Sequence, residues 1–97
     1  MRVAYSPRAV TDLAKIGYYL AEQNPAAAAA VEQRIRIIVE LAALFPASGR
    51  MLEGRTRVRV LPLGMYSYRI FYTVSENELV VLHIRHSARE PVDPGEL

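Results

Sequence analysis

Cysteine is absent from this chain of 97 residues. The absence excludes disulfide bonds, thiolate metal sites and thiol nucleophiles. Long apolar runs are lacking too, so the sequence predicts neither a signal peptide nor a membrane-spanning helix. Lysine occurs once, at Lys15, and the other eleven basic residues are arginine. We therefore expect a cytoplasmic protein whose basic contacts are made by guanidinium groups, which suit phosphate and carboxylate ligands.

The chain has the length of one domain and an ordinary globular composition, with 52% hydrophobic and 23% charged residues. We expect residues 1–89 to form this domain and the acidic, proline-containing residues 90–97 to form a flexible tail. The net charge is only +2, but residues 51–89 carry six arginines against three glutamates. This local excess favours one anionic site over a broad nucleic-acid-binding surface.

Two helices are predicted in the first half of the chain. Each begins at a polar N-cap followed by proline, which is tolerated at the first helical position. The two starts are Ser6-Pro7 and Asn24-Pro25. We expect the first helix to end near Gln23 and the second at Phe45, since the residue before a proline disfavours helical dihedral angles. The short connection predicts an antiparallel helical hairpin.

Strands are predicted over residues 3–5, 56–61, 66–74 and 79–86, and a loop over 47–54. The element order is therefore β-α-α-β-β-β. We expect an α+β fold in which the helical hairpin packs on one face of a small, mostly antiparallel sheet.

Basic and apolar residues alternate along the last three predicted strands. Successive side chains of a strand point to opposite faces, so the alternation predicts an apolar face under the helices and a basic face turned away from them. The predicted apolar rows are Val58 and Val60, then Tyr66, Tyr68, Ile70, Tyr72 and Val74, then Val80, Leu82 and Ile84. The predicted basic, partner-binding face consists of Arg57, Arg59, Arg69, His83 and Arg85. Alternating arginines also occur on solvated sheet faces, and that interpretation stays open.

Six short segments, in this order and spacing, resemble the RelE/ParE superfamily of bacterial type II toxin–antitoxin toxins, which includes plasmid stabilisation proteins. They are Tyr5-Ser6-Pro7 with Asp12-Leu13 and Ile16; Asn24-Pro25-Ala26-Ala27-Ala28; Phe45-Pro46 with Ser48-Gly49-Arg50; Arg59-Val60-Leu61-Pro62; Tyr68-Arg69-Ile70-Phe71-Tyr72; and Leu82-His83-Ile84-Arg85-His86. The resemblance spans Val3 to about Arg89 and implies the same fold as the strand and helix pattern.

The resemblance implies a growth inhibitor that is neutralised by an antitoxin encoded beside it. It also implies two different activities, because the RelE branch cleaves mRNA on the ribosome whereas the ParE branch acts on DNA gyrase by binding. No tyrosine follows Tyr72, so the aromatic residue that stacks on a base in several RelE-like nucleases is missing, and Lys15 is expected on the first helix, away from the sheet. We therefore predict a ParE-like gyrase inhibitor. The alternatives are a ribosome-dependent endoribonuclease and an inactive module that only binds antitoxin.

The endoribonuclease alternative has its own candidate residues. RNA cleavage through the 2′-hydroxyl needs a base, an acid and cations for the phosphate, and the candidates are His86, Arg69, Arg59 and Glu53. Alternation places His83 and His86 on opposite faces, so we do not expect them to act as a pair. Two histidines with scattered acids make a poor metal site, and we predict no metal or other cofactor. Both a homodimer and a toxin–antitoxin hetero-oligomer are compatible with the sequence.

Overall fold

The computed structural model describes residues 1–64 and 66–86, without the side chains of Arg55 and Thr56. The elements are β1 (Arg2–Tyr5), α1 (Pro7–Gln23), α2 (Pro25–Leu44), β2 (Arg50–Leu52), β3 (Arg55–Pro62), β4 (Tyr68–Ser75) and β5 (Glu78–His86). The predicted α+β fold and its order of helices and long strands are confirmed. The strand β2 is an addition, because it lies in the segment that was predicted as a loop. The predicted tail, residues 90–97, lies outside the described residues.

Both helices begin where the capping signals predict. The Ser6 hydroxyl accepts a hydrogen bond from the Ala9 N–H at 3.1 Å, and the Asn24 side chain accepts from the first free N–H groups of α2. The Asn24 N–H in turn donates to the Leu20 carbonyl at 2.7 Å. One residue thus closes α1 and caps α2, which keeps the hairpin connection short. No helix within the described ranges is long and apolar enough to cross a membrane.

The five strands form one sheet in the order β1-β5-β4-β3-β2, with β1 parallel to β5 and the other pairs antiparallel. The helices pack on one face, called here the helix-covered face, and the opposite face is called the far face. The helix-covered core contains Val31, Ile35, Val39 and Ala42 of α2 together with Tyr68, Ile70, Tyr72, Leu79, Val81 and Ile84 of the sheet. A second apolar cluster on the far face contains Val58, Val60 and Phe71, with Leu52 and Leu82 packed against it. The sheet therefore buries apolar side chains on both faces.

The register of β3 reverses the faces that the sequence pattern predicted for it. Directly opposite residues of an antiparallel pair share a face. Arg59 lies opposite Tyr72, which belongs to the helix-covered core, whereas Val60 lies opposite Phe71 on the far face. The prediction that the valines of β3 face the helices is therefore wrong. Because the far face has an apolar cluster of its own, alternation alone could not identify the face under the helices.

A bulge interrupts the predicted apolar row of β5. Phe71 lies opposite His83 and Tyr72 lies opposite Val81, so Leu82 is an extra residue in β5. Beyond the bulge the inward-facing residue is Ile84, and Leu82 packs with the far-face cluster. The prediction of one continuous face through Val80, Leu82 and Ile84 is wrong for this reason.

Burial raises the pKa of Tyr5, an effect that nearby Arg36 opposes and Glu40 reinforces. The folded protein therefore holds this proton more tightly than the unfolded chain, which ionises near pH 10. The resulting stability is fully present below that pH and is lost as the pH rises through the pKa of the folded state. We expect Tyr5→Phe to reduce the loss of stability that accompanies a rise in pH above about 10 in urea unfolding. Tyr18→Phe, at a largely exposed tyrosine, is the control and should leave that loss unchanged.

Candidate functional site

The structure divides the five predicted partner-binding residues among three places. Arg59 lies opposite Tyr72 on the helix-covered side of the sheet, and Arg57, two residues earlier in β3, shares that side. Arg69 and Arg85 lie directly opposite each other on the far face. His83 is buried, with 5% of its surface exposed. The prediction that all five form one basic surface is therefore wrong. Arg69, Arg85 and His83 lie on the predicted side, but His83 is buried there opposite Phe71.

Arg59 holds the loop that joins α2 to β2. Its Nη1 donates to the carbonyl of Gly49 at 2.7 Å and to that of Ala47 at 3.4 Å. The Tyr72 hydroxyl supports the same loop, donating to the Pro46 carbonyl at 2.8 Å and accepting from the Gly49 N–H at 2.9 Å. These contacts give Arg59 a structural task that the sequence pattern did not indicate.

His83 lies in the bulge of β5 and contacts α1. Its Nδ1 is 2.6 Å from Oδ2 of Asp12, and its ring stacks on Phe71 with the centroids 5.8 Å apart. The same Asp12 oxygen accepts the N–H of Ile84 at 3.0 Å. Asp12 therefore ties α1 to the bulge, and His83 belongs to this buried connection instead of an exposed surface.

Ser6 forms hydrogen bonds with the neighbouring part of the β5 edge. Its N–H donates to the carbonyl of Val81 and its hydroxyl donates to the carbonyl of Leu82, both at 2.9 Å. Because β1 ends at Tyr5, the edge of β5 beyond it would otherwise lack these partners. Ser6 and Asp12 appear in the segments that resemble the superfamily, but nothing in their sequence context indicates that they bond to the last strand.

Arg69 is the most distinctive basic group of the far face. Its guanidinium carbon lies 5.5 Å from the centroid of the Phe71 ring. Its Nε is buried and has no hydrogen-bond partner in the described part of the chain. Arg85 lies directly opposite Arg69, a cross-strand position at which like charges repel.

The four candidate residues for RNA cleavage do not surround one point. His86 lies opposite Tyr68 on the helix-covered face, with the two rings edge to face at 5.2 Å. Arg59, opposite Tyr72, is four residues further along the strands, a separation of ~13 Å at about 3.3 Å per residue. Arg69 lies on the other face, and Glu53 lies in the turn between β2 and β3, at the opposite end of the sheet from His86. The structure therefore brings no three of these groups to one phosphate.

A different basic group stands next to His86. Lys15 and Arg85 line a cleft of about 300 Å³ together with His86, between α1 and the end of β5. The prediction that Lys15 lies away from the sheet is wrong, because α1 packs against β5 and Lys15 lines a cleft with residues of that strand. Sequence reasoning missed this neighbour, since the packing of a helix on a strand leaves no mark in either local pattern.

Comparison with known proteins decides the family. Residues 3–91 match a family model described as the ParE toxin of the type II toxin–antitoxin system, parDE. The chain belongs to the ParE toxin family. The resemblance to the RelE/ParE superfamily is thereby confirmed, and the protein is the toxin of a type II toxin–antitoxin module, which implies a cognate antitoxin as its partner.

Individual relatives of this ParE-family toxin carry names from both branches of the superfamily. Protein Y4kP of Sinorhizobium fredii, which is named as a candidate toxin, is 36% identical over 90 residues, covering 92% of this chain and 91% of that protein. Toxin RelE2 of Caulobacter vibrioides is 30% identical over 88 residues, covering 91% and 97% of the two chains. A solved structure of a chromosomal ParDE system from P. aeruginosa superposes with a TM-score of 0.75 at 25% identity, covering 89% of this chain and 95% of that one.

A larger cleft of the toxin, about 570 Å³, lies between the helical hairpin and the turn that precedes β4. Aromatic groups dominate it, namely Tyr19, Tyr66, Tyr68 and His86. Tyr66 and Ser67 both have positive φ, at 54° and 56°, which starts β4 at Tyr68 instead of the predicted Tyr66. The cleft suits a planar or apolar group of a partner protein.

Proposed function

We propose that this ParE-family toxin inhibits growth by binding DNA gyrase, without cleaving a substrate. The family match over residues 3–91 carries the proposal, since the ParE branch of the superfamily is the one that acts on gyrase. The separation of the candidate cleavage residues supports it, because a nuclease needs its acid, base and cations around one phosphate.

Exposed apolar side chains on the helical hairpin also support a binding function. Tyr18 is 76% exposed, and Leu44 and Phe45 at the end of α2 are 70% and 65% exposed. Ile37 and Leu41 continue the same side of α2 at helical spacing and are also exposed. An exposed apolar stripe such as the one along α2 is typical of protein–protein interfaces.

The proposal predicts that the purified toxin inhibits gyrase in a plasmid supercoiling assay. For a specific complex we expect inhibition at toxin concentrations of about 1 μM. Prior addition of the cognate antitoxin should relieve it, and relaxation of the same plasmid by topoisomerase I should be unaffected. Supercoiling that continues at a large molar excess of folded toxin would refute gyrase as the target.

The cleft at Lys15, Arg85 and His86 favours a second candidate, a ribosome-dependent endoribonuclease. This cleft combines one histidine, which can act as an acid or a base, with two cations that suit a phosphate. In this case new mRNA 5′ ends should appear in translating extracts, and His86→Ala should lower their yield by about 10²-fold or more. Lys15→Arg, which keeps the charge, should retain cleavage. Intact mRNA with the unaltered toxin would exclude this candidate.

A further inference from the structure

A small cleft opens at the end of the sheet where β2 begins, β3 ends and β4 begins. Its volume is about 340 Å³, and it is lined by Ser48, Arg50, Val60, Leu61, Pro62 and Arg69. Arg50 lies opposite Val60 and Arg69 lies opposite Pro62, so the two arginines flank β3 from its two neighbouring strands. The sequence pattern did not identify Arg50, because its segment was predicted as a loop.

Neither arginine of this cleft is neutralised within the described part of the chain. The ion pairs of Arg2 with Glu78, Arg36 with Glu32 and His83 with Asp12 involve neither of them. Arg50 is exposed. Arg69 is partly buried, and its Nε has no hydrogen-bond partner there. A desolvated guanidinium donor without a partner strongly favours an oxyanion ligand.

The remaining groups of the cleft indicate what kind of oxyanion fits. Ser48 carries a hydroxyl that can act as a neutral donor, and Val60 and Pro62, which share the far face with the two arginines, supply an apolar lining. The Phe71 ring lies against the Arg69 guanidinium and limits its freedom before any ligand binds. A carboxylate at the end of a short methylene stem fits this cleft, because its oxygens can accept from the donors and its stem can pack on the apolar lining.

We propose that this cleft binds the carboxylate of an aspartate or glutamate side chain of the antitoxin, held between Arg50 and Arg69. A nucleic-acid strand is the less favoured ligand, because it needs a track of several cations, and Arg57 and Arg59 lie on the other face. The proposal depends on the antitoxin partner that the family implies, and it is independent of whether gyrase or mRNA is the cellular target.

The test is calorimetric titration of the cognate antitoxin into the toxin and its variants. Arg50→Ala alters an exposed side chain and should fold normally, and Arg69→Lys keeps the charge and the stem but loses the planar fork. We expect each to weaken antitoxin binding by about tenfold or more. Arg57→Ala removes the same charge from the opposite face of the sheet and should change the affinity by less than about twofold. Circular dichroism of each variant verifies its fold.

An acidic scan of the antitoxin supplies the second half of the test. One particular aspartate or glutamate of the antitoxin, when replaced by its amide, should weaken binding to the unaltered toxin. The same antitoxin variant should lose little further affinity for the Arg50→Ala toxin, because the change in each partner removes the same contact. Unchanged affinity in both Arg50→Ala and Arg69→Lys would overturn the proposal. An equal loss in Arg57→Ala would also overturn it, since it would show a general effect of charge.

A parallel titration with a single-stranded RNA and a single-stranded DNA of about 20 nucleotides distinguishes the other ligand class. Loss of nucleic-acid binding in Arg50→Ala with antitoxin binding intact would assign the cleft to phosphate and overturn the carboxylate assignment. Supercoiling inhibition is measured on the same preparations. A failure there would refute gyrase as the target and leave the comparison of antitoxin affinities valid.

Discussion

Asp12→Ala is expected to lower the free energy of unfolding by about 3 kcal/mol, one of the largest effects of any single substitution outside the apolar core. One carboxylate oxygen of Asp12 accepts from the N–H of Ile84 at 3.0 Å and contacts Nδ1 of His83 at 2.6 Å. Hydrogen bonds to charged groups contribute about 1.5–3 kcal/mol each, and alanine leaves both partners without an acceptor in a largely buried position. In a domain of this size the melting temperature should fall by roughly 12 °C or more.

Two neighbouring variants separate this role from a general effect of changing α1. Asp12→Asn keeps one side-chain oxygen, which can take the place of Oδ2 beside both the N–H of Ile84 and Nδ1 of His83, so it should recover most of the lost stability. Thr11→Ala removes a hydroxyl that bonds only to the exposed carbonyl of Pro7, and it should cost less than about 0.5 kcal/mol. Urea unfolding followed by circular dichroism measures all three. A loss below about 1 kcal/mol for Asp12→Ala would show that α1 does not depend on this contact.

The helices could be predicted from the sequence because their signals are local. Ser6 and Asn24 bond to N–H groups two or three residues away, and the prolines that follow them fix the first turn. The long strands were equally predictable, since runs of β-branched and aromatic residues between turn residues identify them. The fold class followed from the order of these elements.

The strand β2 and the bulge in β5 could not be predicted in the same way. The three residues Arg50–Leu52 carry no alternation of their own, and they are extended because they pair with β3. The extra residue Leu82 looks like any other member of an apolar strand, although it shifts every later side chain to the opposite face. Both features depend on how a strand pairs with its neighbour, which the residues of that strand alone do not show.

The candidate site was predicted only in part for the same reason. Residue type indicated an arginine-rich anion site, and Arg69 and Arg85 lie on the far face as expected. Whether an arginine is available depends on its neighbours, however. Arg59 donates to the carbonyl of Gly49. Arg50, which lies in the unpredicted strand β2, lines the proposed carboxylate-binding cleft. Assigning such a site requires the register of the sheet and the path of the loop before β2.

Gly49→Ala, in the loop before β2, should destabilise the fold by about 3 kcal/mol. A Cβ at position 49 would lie 2.7 Å from the hydroxyl oxygen and 2.8 Å from Cε1 of Tyr72. Tyr72 is fully buried and its hydroxyl is bonded to the Pro46 carbonyl, so the ring cannot move aside without losing contacts. The strain of overpacking therefore adds to the loss of the Tyr72–Gly49 hydrogen bond.

Gly17→Ala is the matched control, and it should raise the stability of the protein instead of lowering it. Gly17 lies within α1, and a Cβ there meets nothing within 4 Å. Gly17→Ala should therefore stabilise the protein by about 1 kcal/mol through helix propensity alone, in the same unfolding experiment. Arg50 directly follows Gly49, so displacement of the loop should also move this arginine of the proposed carboxylate site. Gly49→Ala should therefore weaken antitoxin binding, and Gly17→Ala should leave it unchanged. A Gly49→Ala variant as stable as the unaltered toxin would mean that Tyr72 does not hold the start of β2, and that the position of Arg50 is not fixed by the core.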